Sequence, residues 1–400
     1  MLRICFLFLT IILIPSACKR TETEYLEVSL QKYRDQLNEL RREFSVRDLP
    51  DIRFFQFGMG NRKKLIYKNG TLYDAFTGEM YRVWPMRSEK IVPNEYQVII
   101  STESGRDVVI FENESGMFIR EGSKTLQVEH TDALVKLPEF EGYRYSEVLK
   151  ALHQEILINI VDSKPLPNFL VYSNPWRRDG AMMAMCLDST GNLSLIKDWV
   201  MSIRDPYDRN NAGETEADNL GQTLFLVSLF SDTTHPVVPA ILKEILRYEV
   251  RSGQEVYICG RSDFHEVPAY QTKWLKYGLL SLGLPDHYTI PKVQDDYASL
   301  FWWHYRESYL TGTTDAYEEW GMDKDPYPKY PYIGWAADHF HGKRRNAISN
   351  RDYPLSWEQD ASQADYSGMK PIDEIFVKER ICVPHTWHAS EMFLYLLEFK

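Results

Sequence analysis

From Tyr25 to Phe44 the apolar residues Leu26, Leu30, Tyr33, Leu37, Leu40 and Phe44 recur every three or four positions. That period draws one stripe along an amphipathic helix, and the stripe predicts a tether helix lying on the body of the protein. The texture changes at Ile52. As far as Leu137, the short segments "KLIYKNGTLYDA", "YQVIIST", "DVVIFENESGMFI" and "TLQVEH" are punctuated by Asn-Gly, Thr-Gly, Ser-Gly and Glu-Gly pairs. Glycine supplies the positive φ that tight hairpin turns require, so this stretch predicts a small antiparallel β domain, one sheet or a sandwich.

Beyond Pro138 the period returns to that of a helix. Helices are expected at Tyr145–Val161, Gly180–Leu187, Leu193–Ile203, Ala217–Phe230, Pro236–Arg251, Pro268–Leu282, Tyr297–Tyr305 and Thr386–Phe399. Segments such as "LGQTLFLVSLF" and "EMFLYLLEF" have wide apolar faces, which predicts contact on more than one side. The connections are long and rich in Tyr, Trp, Pro and Asp, above all across 310–384. Long loops on a compact helical body tend to carry function. The pattern divides the chain into a tether at 18–50, a β domain at 51–138 and a mainly α body at 139–400.

Residues 1–17 belong to none of these parts. Arg3 precedes an apolar run, Ile4–Ile14, that is too short to span a bilayer, and the small residues of "PSAC" follow. The segment resembles a bacterial lipoprotein signal with cleavage before Cys18 and lipid on its sulfur; an ordinary secretory signal cleaved nearby is the alternative. Either implies export, and the first implies a membrane partner reached through the N-terminal lipid. Of the five cysteines, Cys186, Cys259 and Cys382 stand far apart, with no metal or redox spacing.

Composition narrows the partners. The 57 acidic residues against 46 basic ones give a formal net charge of -11, which disfavours nucleic acid and anionic surfaces. The 25 Tyr and 10 Trp supply rings that stack on sugars as readily as on one another. No phosphate loop, dinucleotide fingerprint or Gly-x-Ser-x-Gly elbow is present, and no cofactor is called for.

Charge meets the core at "NPWRRDGAMMAM", Asn174–Met185. Asp179, just ahead of Gly180, sits where a helix is expected to start, and a carboxylate there accepts unpaired backbone N–H groups. Capping leaves Trp176, Arg177 and Arg178 unexplained. An Arg–Asp pair beside an indole also grips a sugar, the charged groups giving directional bonds while the ring covers a sugar face.

The segment "PWRRDGAMMAM" resembles the Trp-x-Arg-Asp stretch near the start of the six-hairpin, (α/α)-toroid glycosidases of the glucoamylase type. "PHTWHASEMFLYL", Pro384–Leu396, is similar to the Leu-Thr-Trp-x-x-Ala stretch of their closing helix. The resemblance runs from Glu139 to the end, and it implies an (α/α) toroid of helical hairpins behind the β domain. It also implies that Arg178 and Asp179 bind substrate and that Trp387 lines the site. Such enzymes use two carboxyl groups, an acid and a base, held roughly 6.5–9.5 Å apart. Their Trp-Glu acid segment has no counterpart in place; "PAYQTKW" offers Gln271.

Other stretches supply acids. "GETEADNLGQ" sets Glu214, Glu216 and Asp218 at alternate positions, followed by Asn219 and Gln222. One acid serves as a helix cap; three within five residues exceed that need, and clustered acids raise one another's pKa as a general acid requires. Glu216 or Glu214 is therefore the expected acid. "YPLSWEQDASQADY" carries Glu358, either the base across the cleft or part of a solvated acidic loop. Trp176, Trp274, Trp387 and Tyr270 are the expected platforms, with Asp218, Gln222, His385 and His388 as further substrate contacts. His385 and His388 share a helical face, yet the sequence pairs no third ligand with them, and Ala212 interrupts a calcium-like loop. No metal is expected.

The residues support three readings: a lipid-anchored glycoside hydrolase acting on an oligosaccharide or polysaccharide, a polysaccharide lyase with a helical toroid, and a glycan-binding lipoprotein without catalysis. The lyase would use Tyr and His as base and acid on a uronate, with Lys343, Arg344 and Arg345 beside His341 as a local basic patch; His339 completes that histidine pair.

Overall fold

The structure is a computed structural model that describes residues 22–41, 52–129, 134–209, 213–263, 265–291, 355–360 and 363–400. The signal segment with Cys18, the expected helix Tyr297–Tyr305, Ala212, and the cluster from His339 to Arg345 lie outside the described residues.

Helix α1 (Glu22–Arg41) buries Leu26, Leu30, Tyr33, Leu37 and Leu40, the stripe that the period marks. It packs on α2 (Ser146–Leu157). The backbone N–H groups of Glu147 and Val148 at the start of α2 lack partners within their helix. The Gln36 side chain accepts from both, at 2.9 and 3.4 Å.

Strands β1 (Phe55–Phe57), β2 (Leu65–Lys68), β3 (Thr71–Asp74) and β4 (Met80–Val83) form one antiparallel meander. A second follows in β5 (Met86–Val92), β6 (Gln97–Thr102), β7 (Asp107–Asn113), β8 (Gly116–Glu121) and β9 (Lys124–Gln127). The two sheets enclose a core of alternating residues that includes Phe55, Phe57, Tyr67, Leu72, Val98, Ile100, Ile110 and Ile119. The β2–β3 turn shows how locally this is encoded: Lys68 pairs with Thr71, and Asn69 and Gly70 between them both take positive φ, 48° and 73°.

The remaining helices are α3 (Arg177–Ser189), α4 (Lys197–Ser202), α5 (Asp218–Ser228), α6 (Val238–Tyr248), α7 (Pro268–Ser281), α8 (Glu374–Lys378) and α9 (Thr386–Leu396). Their core is continuous with α1 and with Phe54, Met59 and Ile66 of the β region.

The expected mainly α toroid is not what the chain forms. The described residues are mixed α/β: besides the two sheets, four two-stranded antiparallel ribbons interrupt the helical part. They pair Ile160–Val161 with Lys164–Pro165, Glu249–Ser252 with Glu255–Ile258, Arg261–Ser262 with His265–Glu266, and Glu358–Gln359 with Ile381–Cys382. The helix expected to run to Arg251 ends at Tyr248 because "EVRSGQEVYI" folds back on itself at Gly253. Among the described residues α9 packs on α2 and α3, α3 on α5, and α5 on α7.

The closest helix contact fixes two elements that carry site residues. A Cβ on Gly221 of α5 would stand 2.2 Å from the Trp274 carbonyl carbon in α7, and one on Gly278 of α7 would stand 2.4 Å from the Gly221 oxygen. Only hydrogen fits there. Gly221→Ala is expected to destabilise the protein by about 1–3 kcal/mol through overpacking, read as a lower urea midpoint; an unchanged midpoint would show that α5 and α7 separate freely.

Candidate functional site

Helix α3 begins at Arg177, three residues before the expected start, with Trp176 as its N-cap and no side-chain cap. Asp179 lies in the first turn and does not cap it; its Oδ1 accepts from the Thr386 hydroxyl of α9 at 3.3 Å. Successive helical side chains point about 100° apart, so the two arginines diverge. Arg177 is structural: its Nε meets Thr223 Oγ1 at 3.2 Å and its guanidinium lies 5.5 Å from the Trp199 ring. Gly180 admits that ring, for a Cβ there would meet it at 2.6 Å.

Arg178 turns inward and is 1 % exposed. Its guanidinium pairs with three carboxyl groups: Asp218 Oδ2 at 3.2 Å, Glu216 Oε2 at 3.5 Å, and Asp263 in close contact. Trp387 covers one face, its ring 5.2 Å away. Asp218 is fully engaged: Ser262 Oγ donates to Oδ1 at 2.6 Å, while Gln222 Nε2 at 2.8 Å and the Tyr270 hydroxyl at 3.3 Å reach Oδ2. Asp218, Gln222 and Tyr270 therefore anchor the arginine instead of offering themselves to a sugar.

Among the described residues one cation meets three carboxyls here, two of them buried and Asp263 at the edge. Burial pushes the Glu216 carboxyl up to about 8, against the pull of Arg178 and with further push from Asp218 and Asp263. Its Oε1 accepts from the Asp263 backbone N–H at 2.5 Å. Asp263 was not evident in the sequence. It sits at the turn of the Arg261–Glu266 ribbon with a φ of 46°, a left-handed conformation that Asp tolerates better than most residues, and its side chain is the exposed edge of the cluster at 26 %. Gln271, the counterpart of the missing family acid, holds this ribbon by bonding the Gly260 backbone N–H (2.9 Å) and Ser262 Oγ (3.0 Å).

On the other side of Asp179 stands a second pair. His385 Nε2 lies 2.8 Å from Glu358 Oε2, and the Tyr172 hydroxyl donates to the same oxygen at 2.8 Å. Burial opposes charge on His385, but Glu358 and Asp179 outweigh it and raise the imidazole above its ordinary value. Burial brings Asp179 itself up to about 6, moderated by His385 and Arg178. Asp179 Oδ2 is buried without a hydrogen-bond partner. Unmet buried acceptors are costly, and one between two charged clusters points to a ligand donor.

The other expected site residues divide. Trp176 is half-buried and meets Tyr172 edge-on at 5.5 Å, at the rim. Trp274 is wholly buried against Phe225 and Tyr277 and has no face left for a sugar. Glu214 is exposed, 4.0 Å from Arg261, outside the cluster. His388 lies beside Trp387, and burial next to His385 drives its pKa well below the ordinary value. Glu391, one turn past Trp387, is fully buried with both carboxyl oxygens unbonded, and burial pushes its pKa well above the ordinary value. Among the described residues no group of three His, Cys, Asp or Glu side chains is arranged to hold a metal, and the buried Cys186 and Cys382 form no disulfide.

No family model, curated protein or solved structure matches this chain. Together with the mixed α/β architecture, this overturns the resemblance to the six-hairpin toroid glycosidases, which rested on two short motifs. The Trp-x-Arg-Asp stretch has a local explanation: an indole cap, a structural arginine, a buried arginine and a carboxyl that joins α3 to α9.

The raised Glu216 carboxyl has a stability consequence of defined sign. Unfolded, the group titrates near 4.5; folded, near 8. Between those values the folded chain holds a proton that the unfolded chain has lost, so stability falls as pH rises through this window. Glu216→Gln removes that slope. Denaturant unfolding at pH 5 and pH 8 is expected to show the variant gaining more than about 1 kcal/mol relative to the parent at the higher pH; parallel stabilities would mean that Glu216 ionises normally.

Proposed function

We propose that this protein hydrolyses a glycosidic bond in an oligosaccharide or polysaccharide, with Glu216 as the acid and Asp179 as the base. The supporting observation is that two buried carboxyl groups beside the same arginine have pKa values displaced to about 8 and about 6. Between those values Glu216 carries a proton and Asp179 does not. Glu216 donates its proton to the leaving oxygen; Asp179 takes one from water, whose oxygen bonds to the anomeric carbon as the glycosidic bond breaks. Glu358, the base expected from sequence, already accepts from Tyr172 and pairs with His385, which suits it to orienting that imidazole beside Asp179.

The substrate class follows from charge and shape. A cluster with more carboxyls than cations suits a neutral sugar, whose hydroxyls meet Asp179 Oδ2 and Asp263, with the half-buried Trp176 at the rim. The same excess of acids disfavours a uronate-cleaving lyase, which needs cations against the substrate carboxylate. The reading includes export and a lipid on Cys18, tested by labelling the expressed protein with a radioactive fatty acid and repeating with Cys18→Ala. Among the described residues no helix is long and apolar enough to cross a membrane.

Reducing-sugar release from a panel of neutral glycans tests the chemistry. The rate is expected to follow a bell in pH, with limbs near the two displaced values. Glu216→Gln and Asp179→Asn are each expected to lower kcat by about 10²–10⁴-fold while glycan binding persists. Binding without turnover in the parent protein would favour a glycan-binding role; turnover untouched by both substitutions would remove the catalytic assignment.

A further inference from the structure

We infer that Glu155, buried in the last turn of α2, is the positioning residue for the Glu358–His385 pair. Its Oε1 accepts from the Leu355 backbone N–H at 2.7 Å, and its Oε2 meets the Ser356 hydroxyl at 3.1 Å. The Ser356 oxygen in turn accepts from the His385 backbone N–H at 3.1 Å. One side chain on α2 thus holds two segments that are distant in sequence: 355–358, which ends in Glu358, and 384–386, which opens α9 with His385 as its N-cap. The ribbon that pairs Glu358 with Cys382 ties the same two segments together two residues further on.

The anchoring is directional. Asn168, on the loop after α2, donates to the Pro384 carbonyl at 2.7 Å, and the Thr386 backbone N–H donates to the Pro167 carbonyl at 2.8 Å. His385 is therefore gripped before and after by main-chain bonds to the α2 side, and at its own N–H through Ser356 to Glu155. With the backbone fixed, its ring has one carboxylate at Nε2 and lies among Tyr172, His388 and Asp179. A carboxyl is not needed for packing in a helix whose every residue is buried; an apolar residue would fill the site without a desolvation cost. What Glu155 adds is a pair of acceptors aimed at the 355–356 backbone and hydroxyl.

The catalytic use of the pair rests on the hydrolase reading, but the positioning can be measured without substrate. The imidazole of His385 is followed by NMR titration of the full-length protein labelled on its histidines, the His385 resonance being assigned from its loss in His385→Gln. In the parent its midpoint is expected above the ordinary 6.5. Glu155→Gln keeps an acceptor for Leu355 and is expected to leave that midpoint in place. Glu155→Leu keeps the volume but breaks the chain and is expected to lower it by about half a pH unit or more as the imidazole loses registry with Glu358. Should Glu155→Leu fail to fold, Ser356→Ala cuts the same chain at its second link and is expected to give the same shift. A folded Leu or Ala variant with the parent midpoint, or a Gln variant shifted as far as Leu, would overturn the positioning role. Absence of turnover on every glycan would instead overturn the hydrolase reading and leave the titration result standing.

Discussion

A single buried guanidinium organises the centre of this protein. Taking a charge out of water costs several kcal/mol unless partners and hydrogen bonds replace the solvent. Arg178 is 1 % exposed, so the chain must bring carboxyl groups to it, and it does so from two places: Glu216 and Asp218 at the start of α5, and Asp263 on a ribbon turn. The supporting bonds follow from that demand. Ser262, Gln222 and Tyr270 saturate Asp218, Gln271 holds the ribbon, and paired glycines bring α5 and α7 into backbone contact. Burial is what gives the site chemical potential: together with the push of Asp218 and Asp263 it raises the Glu216 carboxyl to about 8 despite Arg178.

The sequence made local structure legible wherever a physical rule acts over a few residues. The stripe from Leu26 to Leu40 buries one face of α1, and Asn69-Gly70 closes a two-residue hairpin. Rules that depend on distant partners left less trace. Periodicity shows that α9 is apolar on wide faces; it does not show that the faces meet α2 and α3. Short ribbons were missed for a related reason. Two-residue strands such as Glu358–Gln359 have no period to detect, and this one is stabilised by a partner more than twenty residues away.

The site divided along the same line. Arg178, Asp179, Glu216 and Asp218 were visible as charge pressed against apolar helix sequence, and the structure brings all four together. Trp274 and Tyr270 offer rings that suit sugars and Gln222 follows the acid cluster, yet each is consumed by packing or by Asp218. Glu214 and Glu216 are two residues apart, a spacing that would put both on one face of a strand, yet the irregular segment exposes the first and buries the second. Asp263 and Glu155 carried little signal of their own: the first is a polar residue in a turn, the second a carboxyl inside a helix, where its burial becomes evident only once residues 355–356 are docked on it.

The central claim is that burial, with the push of Asp218 and Asp263, keeps Glu216 protonated at neutral pH against the pull of Arg178. The most direct test is a ¹³C NMR titration of carboxyl-labelled glutamate, with the Glu216 resonance assigned from its loss in Glu216→Gln. A midpoint near 8 is the expected result. A midpoint near the ordinary 4.5 would contradict the account, because Glu216 would then be an anion that merely balances Arg178 and would have no proton to give.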